Sequence, residues 1–395
     1  MQRMSTIDLM GLFYMVSPFF QGSLKKIGIV PLVIKRKEYK TALDPLTNAK
    51  FSNEARENYS SLAESVRSFL LGIISEERNI EQKNLANLLS AASYESLGAK
   101  ERNLIDQVGS WDDVKKAISD HDQKKIVNID RLKLKNPRSN ARSPQVAVVD
   151  FSETINNASA KGFKEAINQC IKDPKVGAIV LNLDSGGGGA VASETMRHYI
   201  VKAKERGKYV IASMSNACAS GGYMVACEAN RILALPTTIT GSIGVVAGLF
   251  RFYPLLQKIG VSTDRIKADD ALPPVYSFFL EEDSKEHQIV MRNIEKEIDV
   301  SYEYFVSLVA KSRNKTFEEA EKIAKGKVFS GLQAKEIGLV DEIGTLQDAI
   351  MQARNHIALK QNVPISSVPV LSPSFGFRKI IKRFKRFSGC KASLS

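Results

Sequence analysis

Between residues 145 and 226 the chain alternates apolar runs of strand length with longer stretches of helical period. Val146–Val149 is a β-branched run, and Ser159 to Ile171 spaces its apolar residues at three and four. Val176-Gly177-Ala178-Ile179-Val180-Leu181-Asn182-Leu183 reads as a strand buried on both faces and ends in glycines. Ala190 to Arg206 returns to helical spacing. Tyr209–Met214 is a further strand, followed by a loop and then a helix opening near Ser220. This βαβαβα order predicts an α/β fold with a mostly parallel sheet and right-handed crossovers. In such sheets functional groups gather beyond the C-terminal strand ends, where Gly186–Gly189 and Asn216–Gly222 fall. Later, Glu281 to Lys311 and Lys315 to Lys325 read as charged surface helices.

A second pattern is internal repetition. Ala99-Lys100-Glu101-Arg102-Asn103-Leu104-Ile105-Asp106-Gln107-Val108-Gly109-Ser110 returns 235 residues later as Ala334-Lys335-Glu336-Ile337-Gly338-Leu339-Val340-Asp341-Glu342-Ile343-Gly344-Thr345. Lys26-Ile27-Gly28-Ile29 returns 232 residues later as Lys258-Ile259-Gly260-Val261. Two matches in one order at nearly one offset define a repeat. The second copy reads as complete and the first as lacking roughly its front half. The predicted organisation is a truncated first copy over residues 1–128, a linker over 129–143, a complete copy over 144–360 and a tail over 361–395.

Composition narrows the function classes. With 395 residues, 44% apolar and 25% charged, the chain suits two domains of ordinary globular character. No apolar run reaches the roughly 20 residues that span a bilayer. Met1 to Phe20 does not read as a signal peptide, because only Arg3 precedes the patch Met10–Val16 and no small-residue cleavage site follows. About half of the net charge of +13 sits in residues 375–395, which hold seven basic residues and no acid. Such a tail does not make a nucleic-acid face, which needs basic and stacking groups across a folded domain. Within it Phe377, Ile380, Ile381, Phe384 and Phe387 recur at helical spacing among lysines and arginines. The pattern predicts a basic amphipathic helix on an anionic membrane surface, hence peripheral membrane association. A disordered basic tail, or a helix docked on the protein, is the plainer alternative. Cys390 beside it is a weak acylation candidate. Cys170, Cys218 and Cys227 read as buried free thiols. The four histidines lack metal-ligand spacing, and no metal or cofactor is expected.

Two strand ends carry candidate chemistry. Glycines after a strand let backbone N–H groups approach a ligand, as in Asp184-Ser185-Gly186-Gly187-Gly188-Gly189. In Asn216-Ala217-Cys218-Ala219-Ser220-Gly221-Gly222-Tyr223 a serine at a strand-to-helix turn is flanked by small residues. Its hydroxyl could attack a carbonyl while nearby N–H groups hold the oxyanion. Alone this is weak, since glycine-rich strand ends also bind phosphates. The dinucleotide pattern does not fit, because Gly186–Gly189 is followed by Ala190-Val191-Ala192.

Ala219-Ser220-Gly221-Gly222-Tyr223, Thr240-Gly241-Ser242-Ile243-Gly244-Val245 and Gly338-Leu339-Val340-Asp341 together resemble the signal peptide peptidase A family, peptidase family S49. Asp184-Ser185-Gly186-Gly187-Gly188 matches a segment where that family usually has proline in place of Gly186. Glu38-Tyr39-Lys40-Thr41-Ala42 is similar to its Tyr-Lys-Ser-Ala segment. The resemblance, to the long two-repeat form, runs from about residue 5 to residue 356. It implies a ClpP/crotonase-like fold and a serine endopeptidase of peptide substrates with a Ser/Lys dyad. Ser220 would be nucleophile, Lys40 general base, Ser242 the hydroxyl orienting the amine, and the Gly188 and Gly221 N–H groups the oxyanion hole. It also implies a homo-oligomer that degrades signal peptides or other membrane-proximal peptides. A catalytically inactive scaffold of the same family stands as the alternative.

The physics of the residues is compatible with that assignment. A lysine at its ordinary pKa of about 10.4 is charged at neutral pH and accepts no proton. Burial between two domains, away from carboxylates and beside Lys35, Arg36 and Lys37, would lower it. At the repeat offset Lys40 corresponds to Leu272, so the second copy has no lysine of its own there. A histidine-based triad would need a histidine soon after Ser220, and the first is His287. An acyl-CoA enzyme of the crotonase type would want paired glutamates near the glycine loop, where only Glu194 is close.

Overall fold

The structure is a computed structural model. It covers residues 5–8, 16–90, 93–122, 143–264, 266, 279 and 284–371. The basic tail with Cys390, nearly all of the predicted linker, the N-terminal patch through Met15 and the Leu272 position lie outside the described residues.

Two compact units form, one from residues 1–16 and 63–139 and the other from residues 17–62 and 140–395. They cut across the repeat boundary, because residues 17–62 pack with the back of the chain. In the first unit β1 (Thr6–Asp8) pairs antiparallel with β3 (Ser93–Glu95). With them go the later turns of α3 (Asn53–Arg78), then α4 (Gln82–Ser90), α5 (Ser96–Glu101) and α6 (Trp111–Asp122).

The second unit opens with α1 (Gln21–Ile27), β2 (Val30–Arg36), α2 (Asp44–Thr47) and the start of α3. The parallel sheet is laid down by β4 (Gln145–Phe151), α7 (Asn157–Lys172), β5 (Val176–Ser185), α8 (Ala190–Glu205) and β6 (Tyr209–Ala219). Asn156 caps α7 through a reciprocal capping box with Ser159, which fixes where that helix starts. After β6 come α9 (Gly221–Ala226), β7 (Arg231–Ala234), β8 (Ile239–Gly241), β9 (Val245–Arg251) and α10 (Tyr253–Lys258). The unit ends with α11 (Lys285–Ser312), α12 (Phe317–Ile323), β10 (Val328–Phe329), α13 (Gly331–Glu336), β11 (Glu342–Ile343), α14 (Leu346–Gln361) and β12 (Val370–Leu371).

The main sheet runs β10-β8-β6-β5-β4-β12, with β7 beside β6 and β11 beside β7. Its pairs are parallel except β10 with β8. Residue alternation sends Val149, Leu181 and Ala212 to one face, under α7, α8, α9 and α11. Val146, Val148, Val180 and Ile211 go to the other, under Ala349, Ala353 and Ile357 of α14. The fold is therefore the α/β arrangement that the alternating runs predict.

Two expectations need correction. The segment after Met214 is not a loop: β6 continues to Ala219 and meets Ser220 directly. Its first half pairs with β7 (Ile211↔Arg231 to Met214↔Ala234) and its second half with β8 (Ala217↔Ile239 to Ala219↔Gly241), so the sheet forks along β6. The charged helix α11 is not only a surface element, for Tyr302, Phe305, Val306 and Val309 on one of its faces belong to the core. Among the described residues no helix is long and apolar enough to cross a membrane.

Candidate active site

Three chain segments meet at the end of β6. The first is the strand-to-helix turn. Ser220 follows β6 and has φ 53° and ψ −121°, a left-handed backbone that is strained for a residue with a side chain. Its N–H donates to the carbonyl of Gly241 at 2.8 Å, at the end of β8. The second is the turn after β8, where Ser242 also has positive φ (50°). The third is brought by an antiparallel pair outside the main sheet. β2 pairs with β9 in register from Val30↔Arg251 to Arg36↔Val245. Because Arg36 lies opposite Val245, the chain four residues beyond Arg36 arrives beside the turn three residues before Val245. Lys40 is thereby delivered to Ser242.

The side chains close a small polar cluster. Lys40 Nζ lies 3.0 Å from Ser220 Oγ, 2.9 Å from Ser242 Oγ and 2.8 Å from the Ser242 carbonyl oxygen. Lys40 is only 4% exposed. Burial pushes its amine down from 10.5 to about 8. The sequence places Lys35, Arg36 and Lys37 as charges that would disfavour a Lys40 cation, but each is engaged elsewhere, with Asp44, Asp299 and Glu321. Nor is Lys40 buried between two domains: its segment packs into the same compact unit as Ser220. Desolvation alone sets the shift.

The glycine loop after β5 lies against the Ser220 turn. A Cβ on Gly187 (φ 100°) would stand 2.7 Å from the Gly221 nitrogen and 2.9 Å from the Ser220 Cβ. A Cβ on Gly188 would stand 2.0 Å from the Ile155 carbonyl oxygen. Both positions therefore exclude side chains through close backbone approach. Ile155 N–H donates to Gly187 O and Gly189 N–H donates to Ile155 O, both at 2.9 Å, a bridge that leaves the Gly188 N–H out of the pairing. Gly221 is the first residue of α9, where an N–H has no acceptor within its helix. The Gly188 nitrogen lies 3.4 Å from where a Cβ on Gly221 would stand, so the two residues named from sequence come close together at the Ser220 turn. Ser185 Oγ pins the loop, donating to Glu153 O at 2.7 Å and accepting from Gly187 N–H at 3.2 Å.

His198 is exposed on α8 and His356 stacks on Tyr209, so the partner of Ser220 is an amine. Cys218 and Cys227 are buried free thiols, while Cys170 is only half-buried. No cluster of metal-ligating side chains occurs among the described residues. Sequence reasoning passed over Ser193, fully buried, whose hydroxyl donates to Gly189 O at 2.9 Å and packs against Gly221. It also passed over Gly326, against Lys40. Their neighbours in sequence give no sign of either role.

Protease 4 of Salmonella typhi is 30% identical over 375 residues, covering 90% of this chain and 60% of that protein. The chloroplastic serine protease SPPA of Arabidopsis thaliana is 29% identical, covering 92% and 56%. This chain thus spans about 60% of the length of these relatives. Among solved structures, ClpP1 from Listeria monocytogenes matches 51% of this chain and 94% of its own, at 19% identity and a TM-score of 0.34. A mutant of the 1510-N membrane-bound stomatin-specific protease matches 58% and 99%, at 16% identity and a TM-score of 0.38. The model of peptidase family S49 matches residues 1–125 and 202–360, well over half of the sequence. That match takes in Lys40, Ser220, Gly221 and Ser242, and the chain belongs to peptidase family S49.

Proposed function

We propose that this protein is a serine endopeptidase in which Ser220 is the nucleophile and Lys40 its general base. The observation that carries the reading is an amine 3.0 Å from a serine hydroxyl, in a setting that brings its pKa to about 8. A neutral amine has two N–H groups and one lone pair. The Ser242 carbonyl can only accept and takes one N–H; Ser242 Oγ takes the other. The lone pair is left for the proton of Ser220.

Lys40 Nζ then accepts the Ser220 proton as Oγ bonds to the scissile carbonyl carbon. The carbonyl oxygen becomes an oxyanion, held by the N–H groups of Gly188 and Gly221. The Lys40 ammonium returns the proton to the leaving amine as the C–N bond breaks. Water, deprotonated by the same amine, then attacks the acyl carbon, and the Lys40 ammonium returns that proton to Ser220 Oγ as the ester C–O bond breaks. Signal peptides and other membrane-proximal peptides are the proposed substrates, and a homo-oligomer the proposed assembly. The basic amphipathic pattern of residues 375–395 supports delivery to a membrane surface.

Labelling with a fluorophosphonate tests the chemistry. Wild type is expected to label, and Ser220→Ala to lose all labelling at that site. Lys40→Ala should still fold and unfold cooperatively but lose peptidase activity; retained activity would remove Lys40 from the mechanism. Co-sedimentation with anionic liposomes, with and without residues 375–395, tests the surface role, and equal binding would remove it.

A further inference from the structure

The turn between α12 and β10 touches both the Lys40 segment and the Ser242 turn. Lys325 and Gly326 both have positive φ, 52° and 84°, which folds the turn tightly enough to face two partners. On one side the Lys325 carbonyl accepts the N–H of Tyr39 at 3.1 Å. On the other the Lys327 carbonyl accepts the N–H of Ser242 at 2.6 Å, and the N–H of Gly326 donates to Ile243 O at 2.9 Å. Between them Gly326 lies against Lys40 itself. A Cβ there would stand 2.5 Å from the Lys40 nitrogen and 2.7 Å from its Cα and Cβ. Gly244 supplies a second bare surface, its own Cβ position being 3.1 Å from Gly326 Cα and 2.9 Å from Arg36 O. The lysine arrives in the turn that follows a strand from the front of the chain, the serine on a turn from the middle, and this turn comes from near the end.

We infer that Gly326 is the positioning residue that sets how deeply Lys40 reaches toward Ser220 and Ser242. The inference rests on the Ser220–Lys40 reading. A side chain at 326 must push the Lys40 backbone outward, and a displacement near 1 Å in a reacting pair costs on the order of 10²-fold in rate. Ion pairs Lys37–Glu321 and Lys325–Glu38 flank the contact but are partly exposed, so the carbonyls and the bare glycine carry the placement.

Gly326→Ala is the direct test, and Gly207→Ala is its control. Gly207 has nearly the same φ (78°), and a Cβ there meets nothing within 4 Å, so it carries the positive φ without the contact. The fluorophosphonate rate constant is expected to fall about 10²-fold in Gly326→Ala, with peptide KM within about threefold of wild type, and to hold in Gly207→Ala. Gly326→Asn tolerates the left-handed backbone better while keeping the clashing Cβ. It should fold even where alanine does not, and should be as slow. A second readout does not need catalysis: competitive acetylation of Lys40 across pH, followed by mass spectrometry. Lys40 should titrate near 8 in wild type and Gly207→Ala, and move toward the ordinary lysine value in both Gly326 variants. If the Gly326 variants react and titrate as wild type does, the inference is overturned. If wild type itself does not label, the peptidase reading fails, while a shifted Lys40 titration still supports the positioning role.

Discussion

A buried lysine with no carboxylate beside it disfavours the folded state at the pH where it must work. Lys40 has three oxygen neighbours, all neutral, and burial lowers its pKa to about 8. Between pH 8 and the unfolded value near 10.5 the unfolded chain holds a proton that the folded chain has lost, so stability rises with pH across that window. Below pH 8 the full penalty is present, on the order of 3 kcal/mol by linkage. Lys40→Met is expected to be more stable than wild type at pH 7 by about 1–3 kcal/mol, with the gain shrinking as pH rises from about 8 to about 10.5. Urea unfolding at several pH values measures it, and a gain that does not change with pH would contradict the assignment. Activity moves the other way within the same residue. Only the neutral amine accepts a proton, so the fluorophosphonate rate should climb about tenfold per pH unit below about 8 and level off above it. Sequence alone could not separate Lys40 from Lys35 and Lys37, which stand in the same basic run; the resemblance to a family segment picked it out. Its burial depends on β9 lying beside β2, and no local pattern encodes that pairing.

At the scale of elements, β8 and β9 act as a common ruler. β6 is measured against β8 through Ala219↔Gly241, and β2 against β9 through Arg36↔Val245. The Ser220–Lys40 distance is thus set by two strand registers, each of which a one-residue slip would destroy. The glycine loop after β5 completes the arrangement from a third strand end. Gly187→Ala would put a methyl carbon 2.7 Å from the Gly221 nitrogen. Its expected effect is a loss of labelling rate of about 10²–10³-fold, the scale of losing an oxyanion donor. Inactivation kinetics with the fluorophosphonate would show it, and a rate within a few-fold of wild type would place the oxyanion contacts elsewhere. The alternation of β4, α7, β5 and α8 was legible because each element is long and carries a clean apolar period. The last five residues of β6, Ser215-Asn216-Ala217-Cys218-Ala219, were not, because they are small and carry no apolar alternation, and Ala217–Ala219 find their strand partners far along the chain, in β8 and at Ser185 of β5. The fork along β6 is a non-local property and leaves no trace in the segment itself.

At the scale of the whole molecule, the order of some elements is compatible with the repeat expected from the sequence. β3 pairs antiparallel with β1 and leads into α5, as β10 pairs antiparallel with β8 and leads into α13. Glu95 caps α5 where Ser330, 235 residues later, caps α13. One step on, the two copies part. In α14 the positions Ala349 and Ala353 are fully buried beneath β4, β5 and β6. The corresponding positions in α6, Val114 and Ile118, are 41% and 47% exposed, and Trp111, matching Leu346, is 60% exposed. Small residues sit where a sheet presses on the helix, and large apolar ones where water does. Trp111 is the single tryptophan of the chain, so its fluorescence reports on this face without background. In dilute protein it is expected to emit at the long-wavelength limit of a hydrated indole and to be quenched by acrylamide about as readily as a free tryptophan derivative. Emission that is blue-shifted and protected at high concentration, and reverts on dilution, would show that a second copy covers α6. Protected emission in protein that light scattering shows to be monomeric would contradict the exposure of that helix face.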